Sequence, residues 1–243
     1  VIAARDLDQL LDRSQALALQ PPLKGENICV ITNGGGIGVL SSDSAEVYGI
    51  PLKPAPKELQ DEFRKCMPDF GSPKNPVDIT GGAGLEGYEK AIEVALKHPW
   101  VDGLAVLYCE TAVTKPAEIG EGVLKAIQNA GVKDKPITVC FVGGEKCLAA
   151  GKKLIAAGVP CYDNPDKAMS ALGALRQAAI FAAEGSAPDF APLKDADQKK
   201  AREVIAAARA SGRAVLTEPE AKEVFRAYGL PVGNSKTAKT EDE

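Results

Sequence analysis

The sequence predicts a doubly wound α/β fold, a parallel sheet in the order 2-1-3-4-5 with helices on both faces. Three observations carry this. Short aliphatic runs alternate with helix-spaced stretches, the pattern of parallel βαβ crossovers. Ala, Gly, Val, Ile and Leu dominate while aromatics make up only 5% of the chain, as suits strands covered on both faces. The first aliphatic run also ends in a glycine-rich turn, Asn33-Gly34-Gly35-Gly36-Ile37-Gly38, that leads into a helix.

Taken in order, Leu7, Leu10, Leu11, Ala16 and Leu17 recur at helical spacing and predict an amphipathic helix, ended by Pro21 and Pro22. Residues 1–24 therefore read as a helical lead-in. The body, 25–184, opens with a strand from Asn27 to Thr32 and a helix running to about Tyr48. A second strand is expected from Ile50 to Lys53 and a helix from Pro56 to Cys66. A further helix starts near Glu86. Asp102 to Cys109 is a strongly apolar strand followed by a helix from Lys115 to Ala130. Ile137 to Val142 and Val159 to Tyr162 are further strands, separated by a helix from Glu145 to Ala157. Asn164 to Ala183 closes the body. With parallel crossovers throughout, the order 2-1-3-4-5 is the flavodoxin-like one. Residues 185–194 carry Pro188 and Pro192 and read as a linker. Residues 195–243 hold a charged helix from Ala196 to Ala210, then a second helix. That one starts at Thr217 with Glu220 three residues on, a capping box, and stops at Gly229.

Composition excludes several classes. The net charge is -4 with both signs interspersed, and no basic stripe suggests nucleic acid. No apolar run reaches the roughly 20 residues of a membrane helix. The opening residues lack the apolar core of a secretory leader. Of the six cysteines, no two form a CxxC pair, and Cys29, Cys109 and Cys140 sit within strands. Reduced thiols in a cytoplasmic protein, with no metal site, are the expectation. The single histidine, His98, precedes Pro99 at a helix end. It lies on the edge away from the glycine turn, with no nucleophile beside it.

Ligands of doubly wound sheets bind at the carboxyl ends of the strands. Four loops are expected there. The first holds Asn33, Gly34, Gly35 and Gly36. The second is Asn75 to Gly82, with Asn75 and Asp78. The third begins Glu110-Thr111-Ala112, and the fourth Gly143-Gly144-Glu145. Glycines that let N–H groups converge at a helix start favour a phosphate or another anion. The turn is neither a dinucleotide fingerprint, since Val39 fills the last position of GxGxxG, nor a P-loop, since no GK[ST] follows. A tight packing turn accounts for the glycines equally well. Asn75 and Asp78 could equally form an Asx turn and a helix cap, and Glu110 and Glu145 could complement helix dipoles.

Three stretches together resemble a known family: ValIleThrAsnGlyGlyGlyIleGlyValLeuSerSerAsp, LysAsnProValAspIleThrGlyGlyAla and TrpValAspGlyLeuAlaValLeuTyr. Over roughly Asp6 to Ala183 the chain is similar to the last flavodoxin-like domain of ADP-forming acetyl-CoA synthetases, and to the carboxyl-terminal domain of the succinyl-CoA synthetase β subunit. The tail LeuThrGluProGluAlaLysGluValPheArgAlaTyrGlyLeuProVal resembles the start of the ATP-grasp domain that follows in fused members. The resemblance implies an acid-thiol ligase that interconverts acyl-CoA, ADP and phosphate with acid, CoA and ATP through acyl phosphate and phosphohistidine. It implies partners: a CoA-binding domain, a histidine-bearing domain and an ATP-grasp body, fused or in a separate subunit, in an oligomer. CoA, ADP or ATP and Mg would bind mostly in those parts, nothing would be held covalently here, and this chain alone would make no acyl-CoA. Asn33, Gly34, Gly35, Gly36, Thr111 and Ala112 would form a helix-dipole docking surface for phosphate, with Glu110 a contact to the phosphohistidine. Glu110, Thr111 and Ala112 depart from the glycine pair of the succinyl enzyme. Two alternatives stay open: a regulatory synthetase-like module of a protein lysine acetyltransferase, and a non-catalytic domain binding flavin or a small anion.

Overall fold

A computed structural model describes residues 1–185 and 196–235, with 238, 240 and 242. They fall into two compact units, Val1–Gly185 and Ser186–Glu243. Beyond Gly185, the linker expected over 185–194 lies outside the described residues.

The first unit runs α1 (Leu7–Leu19), β1 (Ile28–Thr32), α2 (Gly35–Val47), α3 (Lys57–Arg64), β2 (Val77–Asp78), α4 (Leu85–Lys97) and β3 (Gly103–Cys109). It continues through α5 (Pro116–Ala130), β4 (Ile137–Val142), α6 (Glu145–Ala156), β5 (Cys161–Tyr162) and α7 (Pro165–Glu184). The five strands are all parallel, in the order β2-β1-β3-β4-β5. Successive side chains of a strand point to opposite faces, and β1, β3 and β4 each feed two cores. Ile31, Leu104, Val106, Val139 and Phe141 meet α3 to α6 on one face. Ile28, Val30, Ala105, Leu107 and Cys140 meet α1, α2 and α7 on the other. This two-sided burial is why the strands read as unbroken apolar runs.

The helix boundaries follow local chemistry. Asp6 caps α1 by accepting the Gln9 N–H, and Asn164 caps α7 by accepting that of Asp166. Pro116 occupies the first position of α5, where no donor is missed, and left-handed Gly131 ends that helix.

The second strand is not where the sequence suggested. Ile50 to Lys53 is not a strand, although Ile50 is buried. Pro51 and Pro54 lack the N–H groups a ladder needs. The slot beside the first half of β1 is filled by one side chain instead. Asn75 Nδ2 donates to the carbonyls of Ile28 (2.6 Å) and Lys53 (3.0 Å), and Asn75 Oδ1 accepts from the Val30 N–H (2.9 Å). The true partner is the two-residue β2, paired through Ile31 with Val77 and Thr32 with Asp78.

The second unit holds α8 (Gln198–Ala210) and α9 (Glu218–Ala227). The Thr217 N–H donates to Glu220 Oε2 at 2.8 Å, and Arg213 grips the same carboxylate with both terminal nitrogens at 2.8 and 2.6 Å. The Arg213 contact, then the Thr217 donors, hold the Glu220 carboxyl down to about 2. Among the described residues, no helix is long and apolar enough to cross a membrane.

Candidate functional site

β1 and β3 are neighbours, yet the helices that follow them pack on opposite faces, α2 with the α1/α7 core and α5 with the other. The crevice of a doubly wound sheet opens where winding reverses in this way. Its floor is built by Asn33, only 3% exposed. Asn33 Nδ2 donates to the Cys109 carbonyl (2.9 Å) and Oδ1 accepts the Cys109 N–H (2.8 Å). The amide thus adds one more rung beyond the last residue of β1. Asn33, expected among the anion ligands, thus braces β1 against β3 through both ends of its amide.

The glycine turn divides into spent and open parts. The Gly34 N–H donates to Thr32 Oγ1 at 3.0 Å. Gly34 is also the N-cap of α2 and has no side chain to cap with. The next N–H groups, of Gly35 and Gly36, belong to the first turn, whose donors have no partner within the helix. Both residues are exposed. A Cβ on Gly36 would meet nothing within 4 Å, whereas one on Gly35 would come within 3.3 Å of Asp78 Oδ2. One carboxylate therefore already stands beside the positive end of α2. Its other oxygen accepts the Thr80 N–H at 2.9 Å, the Asx turn weighed for Asp78.

The start of α5 falls within one residue of the expected one. Thr111 and Ala112 lie in a turn ahead of the helix, which begins at Pro116 with Lys115 as N-cap. Pro116 fixes this start because its ring fits only the first helical turn. The turn is tied by hydroxyls. Tyr108 Oη lies 2.8 Å from Thr114 Oγ1, which is 2.9 Å from Thr111 Oγ1, and Thr111 in turn donates to the Gly81 carbonyl at 3.4 Å. The α5 turn and the Asn75 to Gly82 loop thus share one network beside Asn33. Thr80 in that loop has φ +75°, and its buried hydroxyl lacks a partner. A β-branched residue at positive φ is strained.

Glu110 lines the cleft beside the start of α5 and reaches across it to α6. Its Oε2 accepts the Gly144 N–H at 3.2 Å, at the start of α6, and lies 3.8 Å from Cys147 Sγ. Gly143 makes room for it, since a Cβ there would sit 2.7 Å from that oxygen. Burial, then the Glu110 charge, pushes the Cys147 thiol up to about 11. Glu145 is exposed in the first turn of α6, where its charge suits the dipole. Between α5 and α6 lies a cleft of about 340 Å³ whose rim carries Lys115, Lys146 and Lys153. Asn75, expected among the edge loops, points along β1 as described and takes no part. His98 caps the far end of α4. Sequence reasoning missed Thr80, Tyr108 and Thr114. Only the AspIleThrGlyGly run hinted at an unusual backbone.

Fold and site define a flavodoxin-like domain in which Asn33 ties the glycine turn of β1 to the end of β3 at the switch point. The chain belongs to the Ligase-CoA domain family, which matches residues 28–184. It is 44% identical over 175 residues to the alpha subunit of acetate–CoA ligase (ADP-forming) I of Pyrococcus furiosus, covering 72% of this chain and 37% of that one. It is 29% identical over 244 residues to acetate–CoA ligase (ADP-forming) I of Archaeoglobus fulgidus, covering 100% of this chain and 34% of that one. Its fold is similar to that of an acetyl-coenzyme A synthetase of Ca. Korarchaeum cryptofilum solved in complex with phosphate and ADP. The TM-score is 0.72 at 39% identity, over 77% of this chain and 41% of that one. The chain spans well under half the length of these relatives. It is a domain of the NDP-forming acyl-CoA synthetase kind.

Proposed function

We propose that this domain docks a phosphate, or the phosphohistidine that carries it, within an ADP-forming acyl-CoA synthetase. In the complete enzyme phosphate displaces CoA from acyl-CoA to give acyl phosphate. A histidine on another domain takes the phosphoryl group and releases the carboxylate, then passes the group to ADP. CoA, nucleotide and Mg bind in partner parts: a CoA-binding domain, the histidine-bearing domain and an ATP-grasp body. The alpha-subunit relatives support such partners. His98 takes no part.

One observation carries the reading. The uncapped start of α2, with Gly35 and Gly36 exposed, stands at the switch point beside the α5 turn, and the Asn33–Cys109 pairing fixes the two together. Free N–H groups at a helix start and the positive end of its dipole stabilise a migrating dianion. Lys146 adds positive charge to the cleft, whereas Lys115 is paired with Glu118 at 2.7 Å.

Gly36→Glu in the complete enzyme is the test. The side chain enters open space, and an acid in the first turn favours the helix by about 0.3–1 kcal/mol. Melting temperature should hold or rise slightly while histidine phosphorylation falls at least tenfold. Gly36→Ala should leave phosphorylation within about twofold, on the order of 0.4 kcal/mol or less. Normal phosphorylation in the Glu variant would reduce the glycine turn to architecture.

A further inference from the structure

α1 is mounted with its apolar face outward. Leu7 is 75% exposed, Leu10 48%, Leu11 67% and Leu17 37%, and Ala16 is the only fully buried residue of the helix. The inward face is polar and pinned. Arg13 Nε donates to Ser170 Oγ (3.0 Å), Gln20 Nε2 donates to the Gly158 carbonyl (2.8 Å), and Gln20 Oε1 accepts the Ile137 N–H (2.8 Å). Tyr162 Oη donates to the Asp12 carbonyl at 2.8 Å. Rolling the helix to bury its leucines would break all four ties, so the outward face is fixed by the fold. Leu7, Leu10, Ser14 and Leu17 follow the alternating three- and four-residue spacing of a helix–helix seam.

We propose that this seam receives a helix from the rest of the enzyme, apolar along one stripe and basic at the end that meets Asp6 and Asp8. This rests on the reading of the chain as one domain of a larger synthetase. The area decides the occupant. The four leucines present on the order of 300 Å² by the usual area per methylene. A stable interface between free partners needs about 800 Å² a side. A second copy of this chain would therefore hold poorly, and a parallel pairing would also set Asp6 and Asp8 against themselves. A helix already tethered in the same assembly needs far less, because linkage makes its contact intramolecular.

Hydrogen exchange over Leu7–Leu19 tests this, in the chain alone and in the complete enzyme, each with and without Leu7→Gln plus Leu11→Gln. Exchange should be at least tenfold slower in the complete enzyme, and the double variant should abolish that difference. The chain alone should stay monomeric, with its melting temperature unmoved by the substitutions. Equal exchange in both would overturn the docking, and so would a dimer of the chain that the variant splits. Acyl-CoA formation by the same preparations separates the two readings. An active enzyme with fast-exchanging α1 defeats only the docking. An inactive one with protected α1 defeats only the synthetase assignment.

Discussion

The starts of α2 and α5 occupy equivalent places, at the carboxyl ends of adjacent strands, yet they are built differently. α2 starts on glycines, with an open first turn and the Asp78 carboxylate beside it. α5 starts on Lys115-Pro116 after a turn laced by Tyr108, Thr114 and Thr111. The first offers bare backbone donors. The second offers a hydroxyl network, with Lys115 paired to Glu118. Two surfaces with different donors can hold one anion from two sides without either closing over it. Asn33 keeps them in register.

Removing that brace should have the largest effect. Asn33→Ala leaves the half-buried N–H and C=O of Cys109 without their partners, at up to about 1–3 kcal/mol for each group. Urea unfolding should show a loss on the order of 3 kcal/mol. A loss within experimental error would mean that water replaces the amide, and that the two starts are not locked together.

Thr80→Gly sharpens the contrast from the other side. The left-handed backbone costs a β-branched residue about 1–2 kcal/mol, partly offset by the greater chain entropy of glycine in the unfolded state, about 0.5–1 kcal/mol. The substitution also deletes a buried unpaired hydroxyl. A gain of about 1 kcal/mol is expected, read as a higher melting temperature. A loss would show that the hydroxyl holds a partner in solution.

A smaller effect concerns α6. Burial first and the Glu110 charge second push the Cys147 thiol up to about 11. The folded state keeps a proton that the unfolded chain sheds first. The stability this contributes is complete below about pH 9 and is lost as pH rises toward 11. Glu110→Gln removes the lesser cause, so the thiol should ionise at a lower pH, read from the resonance of the isotopically labelled Cys147 Cβ. An unchanged titration would place Glu110 away from the thiol.

Much of this architecture was legible in the sequence, because strands buried on two faces leave unbroken aliphatic runs and glycine marks the first turn. The strand order follows from that alternation. The identity of β2 does not. Ile50 to Lys53 carries a strand's apolar character, and nothing local announces that the Asn75 amide, over twenty residues later, takes the place of its backbone. The bracing role of Asn33 is hidden for the same reason. Its partner Cys109 lies 76 residues away, and a side chain that mimics a sheet rung looks in sequence like a ligand. The Pro116 boundary was available from local rules. The positive φ of Thr80 was not, because it is imposed by the loop around it.

The claim that both helix starts face one anion is tested most directly by titrating inorganic phosphate into the isotopically labelled chain while following backbone amide resonances. The account predicts that Gly35 and Gly36 shift together with the Thr111 to Thr114 turn along one binding curve, and that Gly36→Glu abolishes both responses. Separate curves for the two sets, or shifts at the glycines alone, would contradict it.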